Sequence, residues 1–194
     1  KAQFVANNLT HSISNIPLIF HSILQTPGNN SINFFYRPIT FTIITVINSF
    51  SDLSPFYFHL VQLIIHISNS ILVYLLFKKH IRSEVALFVS ILFLIHPVNS
   101  ETVSYISDLQ DTLFMFFGLL AIQISISKLA SLKKFLFLSA TLLTSILSKE
   151  TGGLFFMIIP LYSFLFSQKQ KLIILLSTGL SFMIYLFLRF TSEP

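Results

Sequence analysis

Apolar positions in this chain gather into long blocks, not into the strict alternation of a half-buried strand or the single stripe of a soluble helix. From Pro55 onward six blocks follow one another: Pro55 to Phe77, Glu84 to His96, Thr112 to Ile126, Leu132 to Leu147, Leu154 to Phe166 and Leu172 to Phe190. A helix of about 20 mostly apolar residues crosses the hydrocarbon of a bilayer, and about 17 is the lower limit. Three of the blocks are short by that measure and need Ser, Thr or Gly at their ends to complete a crossing. The pattern predicts five or six transmembrane helices.

Before Pro55 the texture changes. From Asn15 to Leu24 and again from Pro38 to Phe50, apolar residues recur every three to four positions between Ser, Thr and Asn. Such stretches suit helices lying in the membrane interface, joined here by the turn-rich Thr26-Pro27-Gly28-Asn29-Asn30. A competing reading makes Pro38 to Phe50 a re-entrant or spanning segment. The predicted fold is an all-α, polytopic membrane helix bundle of about six spans. Residues 1–54 form an external loop with interfacial helices and residues 55–194 form the bundle. The chain opens on Lys1 without a methionine and stops at Pro194 just after an apolar run, so it is read as a fragment.

Composition agrees. Of the residues, 54% are hydrophobic and 10% charged, against about 25% charged in a soluble domain, which excludes a water-soluble reading. There are 23 Phe and no Trp, so Tyr36, Tyr57, Tyr105 and Tyr162 are the nearest substitutes for an interfacial aromatic belt. The absence of cysteine rules out disulfides and thiolate metal sites.

Charge then sets the orientation. Lys78, Lys79 and Arg82 follow the first span, Lys128, Lys133 and Lys134 the third, and Lys169 and Lys171 the fifth. By the positive-inside bias these turns are cytoplasmic. Asp52, Glu101, Asp108, Asp111, Glu150 and Glu193 then fall outside, and only Glu84 of the carboxylates lies inside. The net charge of +5 is accounted for by orientation, without a nucleic-acid partner. The external side is a periplasm, a bacterial exterior or a luminal space, with a bacterial membrane the reading taken.

Four groups of residues carry candidate chemistry. Tyr36-Arg37-Pro38 sets a guanidinium, a planar fork of donors suited to phosphate oxygens, in the first turn of an interfacial helix; spacing alone favours an arginine snorkelling to headgroups. Pro97 ends the second span, so His96 and Glu101, followed by Asp108 and Asp111, face outward from its end. Imidazole and carboxylates so placed hold a divalent cation or shuttle a proton, or are simply solvated. Ser148-Lys149-Glu150-Thr151-Gly152-Gly153 is a tight external turn with adjacent opposite charges. Lys149 departs from the inside bias there, either to neutralise a phosphate or to pair structurally with Glu150. His59, Gln62, His66 and Asn69, spaced three, four and three apart, form one stripe on the first span; helix-to-helix hydrogen bonding is preferred for it over a ligand or proton path. Asn8-Leu9-Thr10 and Asn29-Asn30-Ser31 match the glycosylation sequon.

Taken in order, Tyr36-Arg37-Pro38-Ile39, Phe58-His59-Leu60-Val61-Gln62 with His66 and Asn69, His96-Pro97-Val98 with Glu101, Asp111, and Ser148-Lys149-Glu150-Thr151-Gly152 resemble the membrane region of the transmembrane and tetratricopeptide-repeat O-mannosyltransferases and their bacterial relatives. These are GT-C-class glycosyltransferases that use polyprenyl-phosphate sugars. The resemblance covers about Phe4 to Leu165. It implies that Pro55 to Phe77 is the family's second span and that Asn15 to Phe50 belongs to its first external loop. It further implies that the acid activating the acceptor hydroxyl lies upstream of Lys1. Asn99 stands where many relatives have a second histidine, and Leu109 where many have arginine.

The expected activity is transfer of a sugar from a membrane-embedded polyprenyl-phosphate lipid to a hydroxyl of a protein or glycan acceptor. Tyr36, Arg37 and Lys149 would contact the phosphate, and His96, Glu101, Asp111 and Glu150 would form the acceptor or metal side. The sequence does not identify a cofactor; a divalent cation fits the acidic side. Two alternatives are a transporter or flippase of a lipid-linked or anionic substrate, which suits the intramembrane stripe better, and a non-catalytic scaffold for a downstream repeat domain.

Overall fold

A computed structural model describes residues 8–21, 24–27, 32–51, 54–166 and 170–192. Nine α-helices carry the described chain: α1 (Ile16–His21), α2 (Pro38–Ser51), α3 (Pro55–Phe77), α4 (Ser83–Ile95), α5 (Pro97–Ser104), α6 (Leu109–Ile126), α7 (Ser131–Ser148), α8 (Phe155–Leu165) and α9 (Lys171–Thr191). Short 3₁₀ turns precede α1, α6 and α8. Among the described residues, four helices are long and apolar enough to cross a bilayer, or five when α4 and α5 are counted as one bent span. The chain is thus compatible with a multi-pass membrane protein.

Two of the six expected crossings are corrected in form. The block Glu84 to His96 folds as α4, 13 residues long, roughly 20 Å at 1.5 Å per residue, and approaches membrane thickness only with α5, from which it is bent by 47°. Proline causes the break. Pro97 has no N–H to donate and drives the preceding residue out of helical geometry, and His96 sits at φ −63°, ψ 132°. The block Leu154 to Phe166 becomes α8, 11 residues with Pro160 inside, entered by the 3₁₀ turn Glu150–Leu154. By length it falls short of a crossing.

The segment before α3 also differs from expectation. Asn15 to Leu24 yields only the six-residue α1. The architecture is all-helical apart from one short antiparallel ladder, β1 (Leu24–Pro27) on β2 (Ile32–Phe35), with Leu24 opposite Phe35 and Pro27 opposite Ile32. Thr26 and Pro27, expected in the turn, lie in β1, while residues 28–31, including the second sequon, fall outside the described residues, as do Asp52, Lys169 and Glu193. In the first sequon Thr10 is fully buried, and its carbonyl accepts from Asn48 Nδ2 at 3.0 Å. Helix α2 has 14 residues, roughly 21 Å, too short to span. It buries Phe41, Ile44 and Ile47 against Ile19, Phe58 and Leu109.

The helix contacts explain why so apolar a chain packs at all. Along α9, large residues such as Leu172, Leu176, Met183 and Phe187 are exposed, while Ser177, Thr178 and Ser181 are buried. This inverted distribution is what lipid requires: tails are as apolar as leucine, so helices associate through small residues and hydrogen bonds. Ser181 Oγ donates to the Ser139 carbonyl of α7 at 3.0 Å. Lys134, expected in a loop, lies within α7 and is 4% exposed. Its ammonium donates to the Ser125 carbonyl at 3.0 Å, meeting the partial negative charge of the α6 C-terminus.

The stripe on α3 hydrogen-bonds to the backbone of neighbouring segments. His66 Nε2 lies 3.0 Å from the Leu94 carbonyl, His59 Nδ1 3.3 Å from that of Val103, and Asn69 Nδ2 donates to Thr112 at 3.0 Å. Gln62 Nε2 donates to the carbonyls of Thr102 and Tyr105. Leu94, Thr102 and Val103 belong to the last turns of α4 and α5, where carbonyls have no partner within the helix. The stripe therefore stitches a broken span to its neighbour. Gln62→Leu is expected to destabilise the detergent-solubilised protein by about 1 kcal/mol, near the measured range for interhelical hydrogen bonds in membranes; thermal unfolding checks it, and no change would mean that these contacts are incidental.

Candidate functional site

One end of the bundle gathers charges from three distant segments. Thr40 Oγ1 on α2 donates to the Ser148 carbonyl at the end of α7, 2.8 Å away. That bond places Arg37, one turn earlier, over the turn that follows α7. Arg37 Nε and Nη2 both reach Glu150 Oε2, at 2.9 and 2.8 Å, and Nη1 donates to Gln110 Oε1 at 2.5 Å. The guanidinium lies 4.1 Å from the centre of the Phe35 ring, within cation–π range. All three of its nitrogens are engaged, and the side chain is 12% exposed. This is a positioned group, not an arginine snorkelling to headgroups.

Lys149 is held alongside. Its backbone is extended, φ −157° and ψ 143°, so the chain leaves α7 abruptly and the 3₁₀ turn Glu150–Leu154 begins. The ammonium pairs with Asp111 in the first turn of α6. The Lys149–Glu150 pairing weighed from sequence is therefore corrected: each charge takes a distant partner, because adjacent side chains on extended backbone point apart. Arg37–Glu150 and Lys149–Asp111 stand beside one another, joined through the neighbours Gln110 and Asp111 on one strand of contacts and Lys149 and Glu150 on the other.

Tyr36 is not part of the open site. It is fully buried, its hydroxyl donates to the Phe20 carbonyl at 3.0 Å, and burial pushes its pKa above the ordinary phenol value. It anchors the segment that carries Arg37, and it is not an interfacial aromatic.

His96 and Glu101 also stand apart from the ion pairs. Both are exposed on the bent α4–α5 segment, and His96 Nδ1 accepts from Val98 N–H at 3.2 Å, capping α5. Among the described residues, no three His, Cys, Asp or Glu side chains converge to hold a metal ion. The expectation that His96, Glu101 and Asp111 form one acceptor or metal side is corrected: Asp111 joins Lys149, and the other two line or flank the α4–α5 edge. His96 borders a groove there with Leu63, Leu94 and His66.

Beside Asp111 lies a cavity of about 190 Å³ whose lining also includes Asn69, Asn99 and His66; His66 and Asn99 line the groove as well. The sequence reading did not place Gln110, Phe35 or Thr102 in a site, and Asn99 entered it only as a departure from the resembled family's pattern. Gln110 next to Asp111 was the one visible signal, a second polar residue in the first turn of an apolar helix. No protein-family model, curated protein or solved structure matches this chain. The function is therefore argued from the site itself and from the resemblance in its motifs.

Proposed function

We propose that this chain is the membrane region of a GT-C-class glycosyltransferase, which moves a sugar from a polyprenyl-phosphate lipid to an acceptor hydroxyl at the membrane face bearing Arg37 and Lys149. The observation that carries the reading is the convergence of those two cations from segments more than a hundred positions apart, each held by a carboxylate. In transfer, a carboxylate takes the proton of the acceptor hydroxyl, the oxygen attacks the anomeric carbon, and the phosphate leaves with the bonding pair. Fixed cations aimed at that leaving group stabilise charge as it develops. Glu150 and Asp111 keep the cations oriented and are replaced on them by phosphate oxygens, to which the guanidinium fork donates in two-point geometry.

The polar stripe that suited a transporter gives its nitrogen donors to backbone carbonyls of neighbouring segments, which supports a structural use of those donors. The test is turnover of a polyprenyl-phosphate sugar by the full-length protein in liposomes. Arg37→Ala is expected to lower turnover at least about tenfold, since a charged hydrogen bond is worth roughly 1.5–3 kcal/mol and each 1.4 kcal/mol is about tenfold. Turnover equal to wild type would remove Arg37 from the mechanism.

A further inference from the structure

At the far end of α6 from Asp111, roughly 18 Å along the helix at 1.5 Å per residue, Gln123 Oε1 accepts from the Lys79 ammonium at 2.9 Å. Three segments meet around that contact. His80, in the turn after α3, brings Nε2 to 2.7 Å from the Tyr162 hydroxyl of α8, and its ring centre lies 4.8 Å from that of Phe166. The Lys78 ammonium stands 5.3 Å from the centre of the Tyr74 ring, and that of Lys171, which opens α9, 5.3 Å from the Phe164 ring, both within cation–π range. These charges are held differently from those at the other end of the bundle. Arg37 and Lys149 each face a carboxylate. Among the described residues the remaining ion pair is Arg82 with Glu84, so Lys78, Lys79 and Lys171 are positioned by rings and an amide that leave their charge uncancelled. Below them Phe77, Leu161, Leu165 and Phe166 are exposed.

We infer that the turn Lys78–Lys79–His80, with the end of α8 beside it, is a binding site for an anionic phospholipid. Its phosphate lies on the two ammonium groups, and its acyl chains follow the exposed apolar residues of α3 and α8 into the bilayer. Charge is the first argument. An ammonium has three donors, Lys79 gives one to Gln123, and the headgroup supplies both acceptors and the negative charge that no carboxylate provides; a zwitterionic lipid brings its own cation and supplies no net charge. Height is the second. The turn follows α3, a helix long and apolar enough to cross a bilayer, which sets its lysines at the level of the headgroups and its apolar residues at the level of the chains. Rigidity is the third. A free lysine stem loses rotamer freedom when it binds, whereas here the stems are already steered, and the bond from His80 to Tyr162, 82 positions away, makes one surface of two turns. The inference uses the membrane placement of α3 and α8 and is independent of the glycosyltransferase reading.

The test is native mass spectrometry of the full-length protein in detergent, titrated with phosphatidylglycerol or with phosphatidylcholine of the same chains. The first phosphatidylglycerol is expected to be held at least tenfold more tightly than the first phosphatidylcholine. Each basic residue at an anionic surface strengthens binding about fivefold, so Lys78→Gln combined with Lys79→Gln is expected to weaken phosphatidylglycerol at least tenfold. Lys128→Gln combined with Lys133→Gln removes the same charge from exposed positions between α6 and α7 and is expected to weaken it less than threefold. No preference for the anionic lipid, or a loss as large in the second pair as in the first, overturns the inference, the latter because it marks a response to net charge without a site. If the first pair does not fold, Lys78→Gln and Lys79→Gln taken singly decide in its place, each with an expected loss of about fivefold.

Discussion

Gly152→Ala is expected to cost about 3 kcal/mol of stability and to dismantle the charged site. A Cβ on Gly152 would stand 2.6 Å from the carbonyl carbon and oxygen of Ser145, well inside contact distance, and the obstacle is backbone in the last turns of α7. That backbone has little room to yield. The Ser145 carbonyl accepts from Lys149 N–H at 3.3 Å, and its hydroxyl donates to the Phe114 carbonyl of α6 at 2.8 Å. The turn must move instead, taking Glu150 from Arg37 and Lys149 from Asp111. Overpacking costs about 1–3 kcal/mol, and loosening two partly buried ion pairs brings the total to the upper end of that range or beyond it. For a domain of this size each kcal/mol shifts the melting temperature by about 2–4 °C, so a drop of roughly 6–12 °C in detergent is expected. Gly179→Ala is the control. Nothing lies within 4 Å of the added carbon, and replacing a mid-helix glycine gains about 0.5–1 kcal/mol. Equal melting temperatures for the two variants would show that the turn after α7 is not held as described.

Lys149→Met has the second largest expected effect, about 2 kcal/mol, and its meaning comes from a partner. Removing the ammonium leaves the Asp111 carboxylate, 24% exposed, without its counter-charge; stranding one member of a buried pair costs about 3–5 kcal/mol, and the partial exposure of this pair reduces that. Lys149→Met combined with Asp111→Asn removes both charges and is expected to recover most of the loss. The coupling read from the cycle should be about 1–2 kcal/mol. Additive losses would mean that the two side chains stabilise the protein separately. Recovered stability without recovered turnover would separate structural from chemical roles, since the proposed function needs the cation itself.

The features legible in the sequence are those that local periodicity carries. Positions 59, 62, 66 and 69 share a face because any helix puts them there, and Pro97 ends a helix wherever it falls in one. Partners are another matter. Nothing near Gln62 indicates that its donors go to Thr102 and Tyr105, since helix ends expose carbonyls that any nearby donor can satisfy. The β1–β2 ladder is not legible in the sequence because four-residue strands carry no alternation long enough to detect. Tyr36 was misplaced for a related reason: a tyrosine near a membrane surface reads as an anchor, and only its contact with Phe20 and the end of α9 shows it buried.

For the site, residue type was informative and pairing was not. Arg37, Asp111, Lys149 and Glu150 stood out as charges in an apolar chain, and all four meet at one end of the bundle. Which carboxylate serves which cation depended on an extended residue at 149 and on the Thr40–Ser148 bond between α2 and α7. His96 and Glu101 stood out equally and lie elsewhere, because the 47° bend between α4 and α5 turns them to an edge of the bundle.

Membrane character, the count of apolar blocks and the segregation of lysines from most carboxylates follow from the sequence alone, because hydrophobicity and charge act residue by residue on the choice between lipid and water. The ion pairs, the stitched bend and the cavity beside Asp111 exist only once α2, α3, α6 and α7 are packed. They depend on distances between side chains far apart along the chain, and those distances are set by small residues and interhelical hydrogen bonds whose partners no local pattern specifies.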